Sequence, residues 1–106
     1  MGILRIVKME FESSSVEAFD RLFEFYQQEI ASTPGCQKVI LLKGTNHAGL
    51  RTTLSWWADQ PALDAYRNSE LFGEVWPQTK KLFASAPAAW SVDWPVDSPE
   101  FLPFSL

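Results

Sequence analysis

Hydrophobic residues change their period several times along the chain, and each change marks an element. Ile3 to Phe11 alternates, with Val7, Met9 and Phe11 set against Lys8 and Glu10 after an opening Ile3-Leu4-Arg5-Ile6 that is apolar on both faces. A period of two predicts a β-strand. Ser13-Ser14-Ser15 breaks the alternation. Ser14 with Glu17 three positions later predicts a capping box, in which hydroxyl and carboxylate each satisfy an orphan amide at a helix start. Beyond it Val16, Phe19, Phe23, Tyr26 and Ile30 recur at helical spacing, with Glu17, Asp20, Arg21, Glu24, Gln27 and Gln28 mostly on the opposite side. Thr33-Pro34-Gly35 stops this helix, because proline disfavours helix in the residue before it and glycine supplies a left-handed position.

The rest of the chain reads as two strands, a helical region and a last strand. Lys38-Val39-Ile40-Leu41-Leu42-Lys43 is short, apolar on both faces and bounded by turn residues, as a strand covered on two sides would be. Gly44-Thr45-Asn46-His47-Ala48-Gly49 is a turn cluster, and Leu50 to Trp57 is again β-prone and alternating, so the two strands predict a hairpin. Asp59 is a candidate N-cap, Pro61 falls in the first helical turn, and Leu63 with Tyr66 marks a buried stripe. Ser69 with Phe72 restarts a helix. Leu71, Phe72, Val75, Trp76, Thr79, Leu82 and Phe83 continue it, Pro77 kinking it or opening a second segment, until Ala86-Pro87. Ala89 to Trp94 alternates Trp90, Val92 and Trp94 with Ser91 and Asp93 as a last strand.

The order β-α-β-β-α-β predicts an α+β, ferredoxin-like domain over residues 1–95: an antiparallel four-stranded sheet with helices on one face, followed by an extended C-terminal tail over 96–106. Both faces of such a sheet are apolar here, and helices cover only one. The other would expose more than the few hundred Å² a monomer tolerates, so a second copy packed sheet to sheet, an isologous homodimer, is expected.

Composition narrows the class. The chain has 106 residues, five tryptophans and a net charge of −4. It offers no basic footprint for nucleic acid or anionic lipid, so neither is an expected partner. The N-terminal stretch lacks the pattern of a secretory signal, and no apolar run approaches the ~20 residues of a membrane span, which leads to the expectation of a soluble, cytoplasmic protein. Cys36 is the one cysteine, so neither an intrachain disulfide nor a multi-cysteine metal site can form.

Ile3-Leu4-Arg5-Ile6-Val7-Lys8-Met9, Thr33-Pro34-Gly35-Cys36, Leu54-Ser55-Trp56-Trp57, Ala65-Tyr66-Arg67-Asn68-Ser69-Glu70-Leu71-Phe72 and Ala89-Trp90-Ser91-Val92 together resemble the antibiotic biosynthesis monooxygenase family over roughly residues 3 to 95. The resemblance implies a dimeric α/β barrel. Members include cofactor-independent monooxygenases of polycyclic phenols, quinol monooxygenases, haem-degrading enzymes and proteins without known activity. The haem-degrading branch places an iron-ligating histidine where this chain has Trp76, whose indole has no lone pair for a metal. That branch's asparagine on the first strand is also missing from Ile6-Val7-Lys8-Met9, while its tryptophan has a counterpart in Trp57. The quinol-oxidising branch often carries histidines where this chain has Tyr66 and Leu71.

The resemblance implies a cofactor-independent monooxygenase acting on a small aromatic or quinol ligand, with no cofactor and no metal. The alternative is a non-catalytic ligand-binding or stress-related dimeric barrel. Trp57, Tyr66, Phe72 and Trp76 fall where the family has its cavity, and are the candidate ligand-binding residues. Their rings would suit an aromatic ligand, with the Tyr66 hydroxyl orienting a phenol or quinone oxygen, or else would simply fill a core. Catalytic residues are not assigned. Arg5 and Arg51 each sit in a largely apolar or hydroxylic strand and need a partner there: an anionic oxygen or an acidic side chain. His47 reads as loop decoration, Cys36 as a small hydrophobe, and Asp59 and Asp64 as residues placed for a helix start. Trp56, Trp90 and Trp94 are assigned to sheet packing and the dimer contact.

Overall fold

The structure, a computed structural model, describes residues 2–95. The elements are β1 (Gly2–Glu10), α1 (Val16–Ala31), β2 (Cys36–Lys43), β3 (Leu50–Trp57), α2 (Gln60–Arg67), α3 (Glu70–Lys80) and β4 (Ala88–Trp94). The four strands form one antiparallel sheet in the order β2-β3-β1-β4. This is the ferredoxin-like α+β arrangement that the hydrophobic periods predict. The tail expected over 96–106 lies outside the described residues.

Local chemistry explains most boundaries. Asp59 caps α2 by accepting from the Ala62 amide at 2.9 Å, and Ser69 caps α3 by accepting from the Phe72 amide at 3.2 Å. The turn before β2 depends on Gly35. Its φ is +83°, and a Cβ there would lie 2.4 Å from the Ala62 side chain, so both backbone and space require glycine.

Two expectations are corrected. The Ser14–Glu17 capping box does not form: the Ser15 amide donates to the Glu12 carbonyl in a turn that makes Ser15 the N-cap, and no side chain caps α1. Nor does the last helix run to Ala86-Pro87. It continues through Pro77 but ends at Lys80, because Phe83 bridges to Phe11 and the Ala84 amide donates to the Glu10 carbonyl.

Alternation divides the sheet residues between two faces. Leu4, Leu54 and Trp56 form one cluster with Ile6, Ile40, Leu42 and Trp94 beside it. Trp56 is fully buried there and meets Trp94 edge to face at 6.2 Å. Trp90 and Val92, paired with Ile6 and Leu4, keep 44% and 41% of their surface exposed. The other face packs against the helices, with Met9, Phe11 and Val39 against Val16, Phe19, Phe23 and Ile30. Among the described residues no helix is long and apolar enough to cross a membrane.

Candidate functional site

Small residues on the helix-facing side of the sheet leave space beneath the helices. Cross-strand registers give one row as Thr53–Val7–Ala89 and the next as Ser55–Arg5–Ser91. Thr53, Val7, Ala89, Ser55 and Arg5 border a cavity of about 280 Å³, partly open to solvent. That is roughly twice the ~150 Å³ apolar cavity that accommodates benzene. One or two fused aromatic rings would fit.

All four sequence-derived ligand residues lie on its wall. Trp57 stacks on Tyr66 with ring centroids 5.1 Å apart and planes 26° apart, and Tyr66 meets Phe72 edge to face at 5.3 Å. Phe72 in turn stacks on Trp76 at 5.7 Å and 14°. The contact chain then runs on from Trp76 through Phe83 and Phe11 to Phe19. Unbroken contact is what core-filling aromatics would show, yet here the rings border a space instead of closing it. Ser55 fixes the orientation of Trp57 by accepting from its Nε1–H at 2.9 Å.

Polar groups are few and distinct. The Tyr66 hydroxyl has no hydrogen-bond partner among the described residues. Burial first, and then proximity to Cys36, pushes its pKa up to about 12, so at neutral pH it is a donor and not a base. Cys36 is pushed up to about 11 by burial, outweighing the Lys38 carbonyl contact. It remains a thiol at neutral pH, in keeping with a small hydrophobe.

The two strand arginines separate. Arg51 is buried and spoken for: Nε and Nη2 donate to the two Asp20 carboxylate oxygens at 2.8 and 2.9 Å, and Nη1 donates to the carbonyls of Ala48 and Leu50. Arg5 has no such partner. Its Nη1 donates to Ser91 Oγ at 3.2 Å, and among the described residues no carboxylate pairs with it. Arg67, at the last turn of α2, also borders the cavity. Burial, followed by the like charge of Arg67, presses the Arg5 pKa down. His47 lies away from the cavity, 3.7 Å from Glu10 in an exposed hairpin loop. Asp59 is a cap, and Asp64 accepts from Gln60 at 2.9 Å.

Arg67 and the two serines flanking Arg5 escaped the sequence reading. An arginine in the last helical turn reads as a complement to the helix dipole. The signal that could have found the serines is the small hydroxyl residue recurring on the covered face of β3 and β4, where bulk would be expected.

The sequence model of the antibiotic biosynthesis monooxygenase family matches residues 2–76. The chain belongs to that family. No curated protein matches it in sequence, and the solved structures it resembles are distant in sequence. A conserved protein from Methanosarcina mazei superposes with a TM-score of 0.83 at 20% identity, covering 87% of this chain and 91% of that one. A Mycobacterium tuberculosis protein gives 0.82 at 17% identity over 93% and 99%. A variant of SnoaB from Streptomyces nogalater, a cofactor-independent oxygenase, gives 0.80 at 13% identity over 92% and 97%. At such identities the likeness establishes the fold.

In this member of the antibiotic biosynthesis monooxygenase family the cavity wall is largely aromatic. Trp76 presents an indole stacked on Phe72, without a metal-ligating lone pair. Among the described residues the ionisable side chains bordering the cavity are Arg5, Arg67 and Tyr66.

Proposed function

We propose that this protein is a cofactor-independent monooxygenase that oxidises a one- or two-ring phenol or quinol held in the cavity beneath the helices. The observation that carries the reading is an aromatic-walled space of about 280 Å³ into which the family's ring positions, Trp57, Tyr66, Phe72 and Trp76, all converge. For a phenol with a free ring C–H, the balanced reaction consumes one dioxygen and yields a quinone and one water. One oxygen atom enters the ring carbon, the other leaves as water, and all four electrons come from the substrate. No external reductant is needed. The protein's share is placement: Trp57 and the Phe72–Trp76 stack hold the ring, the un-ionised Tyr66 hydroxyl donates to the substrate oxygen, and the phenolic proton leaves through the open side to water.

Oxygen uptake with hydroquinone and 1,4-dihydroxynaphthalene tests this. Uptake well above the buffer rate is expected, falling about tenfold or more in Tyr66→Phe, the effect of losing one well-placed donor. Uptake at the buffer rate with both compounds would leave a ligand-binding protein without turnover, and uptake indifferent to Tyr66→Phe would remove the site assignment.

The exposed Trp90 and Val92, continuous with the apolar cluster around Trp56, support pairing of two copies through this sheet face. Light scattering at micromolar concentration should then give twice the 12.0 kDa chain mass. A mass of one chain would rule the pairing out.

A further inference from the structure

We propose that the Arg5–Arg67 end of the cavity is a carboxylate subsite, so that the ligand is a one- or two-ring aromatic acid. This deepens the reading of the cavity as an aromatic pocket and rests on it. Both arginines border the same space, and neither forms an ion pair with a described residue. Acidic side chains are plentiful, 13 in the chain, and the net charge is −4; yet none of the described ones borders the cavity. Asp93 shares the sheet face one row from Arg5, opposite Ile3, and makes no pair with it. Arg51, on the same face, shows the contrasting solution, a two-pronged bond to Asp20. Two cations on one cavity wall, with no counter-ion among the described residues, form half of an ion-pair site. A bound anion completes it.

The identity of that anion follows from the rest of the wall. Among the described residues bordering the cavity the ionisable groups are Tyr66, with its pKa pushed up, and two arginines, and none of these takes a proton at neutral pH. An anion bound there must arrive ionised, which a carboxylic acid does and a phenol with pKa near ~10 does not. A guanidinium also matches the planar, two-oxygen geometry of a carboxylate. Arg5 is already positioned by Ser91, and Ser55, which accepts from Trp57, keeps its own hydroxyl proton to donate. The aromatic rings begin beside this charged end, so acid group and ring are served together.

The test is titration of the isotope-labelled full chain, followed by amide NMR shifts, with 2-naphthoate and with its uncharged counterpart 2-naphthamide. The acid should bind about tenfold or more tightly than the amide, as a charge-assisted hydrogen-bonded pair predicts, and should shift the amides of Arg5, Ser55 and Ser91. Arg5→Gln should abolish most of that preference. Arg67→Gln, on an exposed side chain whose loss leaves the core intact, should reduce it. Equal binding of acid and amide would overturn the carboxylate subsite while leaving the aromatic pocket standing. A preference unchanged by both substitutions would also overturn it, since the acid would then sit elsewhere. Failure of both compounds to bind at low millimolar concentration would overturn the subsite and the aromatic pocket together.

Discussion

Trp57→Ala is expected to lower the unfolding free energy by about 3–5 kcal/mol, the range for truncating a large buried aromatic. Trp57 is 1% exposed and ends β3, its backbone paired with Ile3 on one side and Cys36 on the other. Its ring stacks on Tyr66 and its N–H is satisfied by Ser55. Truncation removes the ring, strands the Ser55 hydroxyl and enlarges a space that already exists. The sheet below is hydrogen-bonded on both sides of β3 and cannot collapse to refill it, so the cavity penalty adds to the lost transfer energy. A domain of this size has about 5–15 kcal/mol in total, so the urea midpoint should fall by about a fifth or more. Trp57→Phe keeps a ring on Tyr66 and gives up mainly the indole hydrogen bond, worth about 0.5–1.5 kcal/mol net. Far-UV circular dichroism in urea checks both, at one fixed protein concentration because a dimer's midpoint moves with concentration. A loss below about 1 kcal/mol for Trp57→Ala would mean that the wall closes over the gap.

The sheet and the cavity wall were legible because both are written in local periods. Leu50 to Trp57 alternates cleanly, and β3 has those bounds; Asp59 and Ser69 sit three residues before the amides they cap. The ring positions Trp57, Tyr66, Phe72 and Trp76 follow from the same periods together with the family pattern. What was not legible depends on partners distant in sequence. Three consecutive serines offer three candidate caps, and the Glu12–Ser15 turn decides among them. The helical spacing of Phe83 is genuine, but pairing with Phe11, 72 positions earlier (83 − 11), draws it into the sheet's margin. Arg5 and Arg51 look alike in their strands. Only the fold brings Asp20 of α1 to one and Arg67 of α2 to the other.

Arg51→Met is expected to cost about 3 kcal/mol, because it removes one member of a largely buried, doubly hydrogen-bonded pair and leaves Asp20 with only the Lys43 ammonium 3.7 Å away. The Arg51 and Asp20 side chains are 8% and 24% exposed, so water screens the survivor in part, which places the figure at the low end for buried pairs. Asp20→Ala should cost at least as much, since the stranded charge is then the better-buried guanidinium. The double variant Asp20→Leu/Arg51→Met should recover part of the loss, separating the pair's coupling from the penalty of stranding a charge. The pair also sets a pH dependence. Hydrogen bonds from Arg51 foremost, then the charges of Arg51 and Lys43, hold the Asp20 carboxyl below its ordinary value, although burial pushes it upward. A carboxyl that ionises more readily in the folded than in the unfolded chain contributes stability that is fully present above the unfolded value, about 3.9, and is lost as pH falls through the folded one. Urea midpoints of the native protein should therefore carry this contribution unchanged from pH 7 to pH 5 and lose it below about pH 4. In Arg51→Met the carboxyl has lost its principal donor, and the part of the acid decline that belongs to Asp20 should shrink to what Lys43 sustains. A native and a variant protein with parallel midpoints down to pH 3 would show that Asp20 is held no more tightly in the fold than in the open chain.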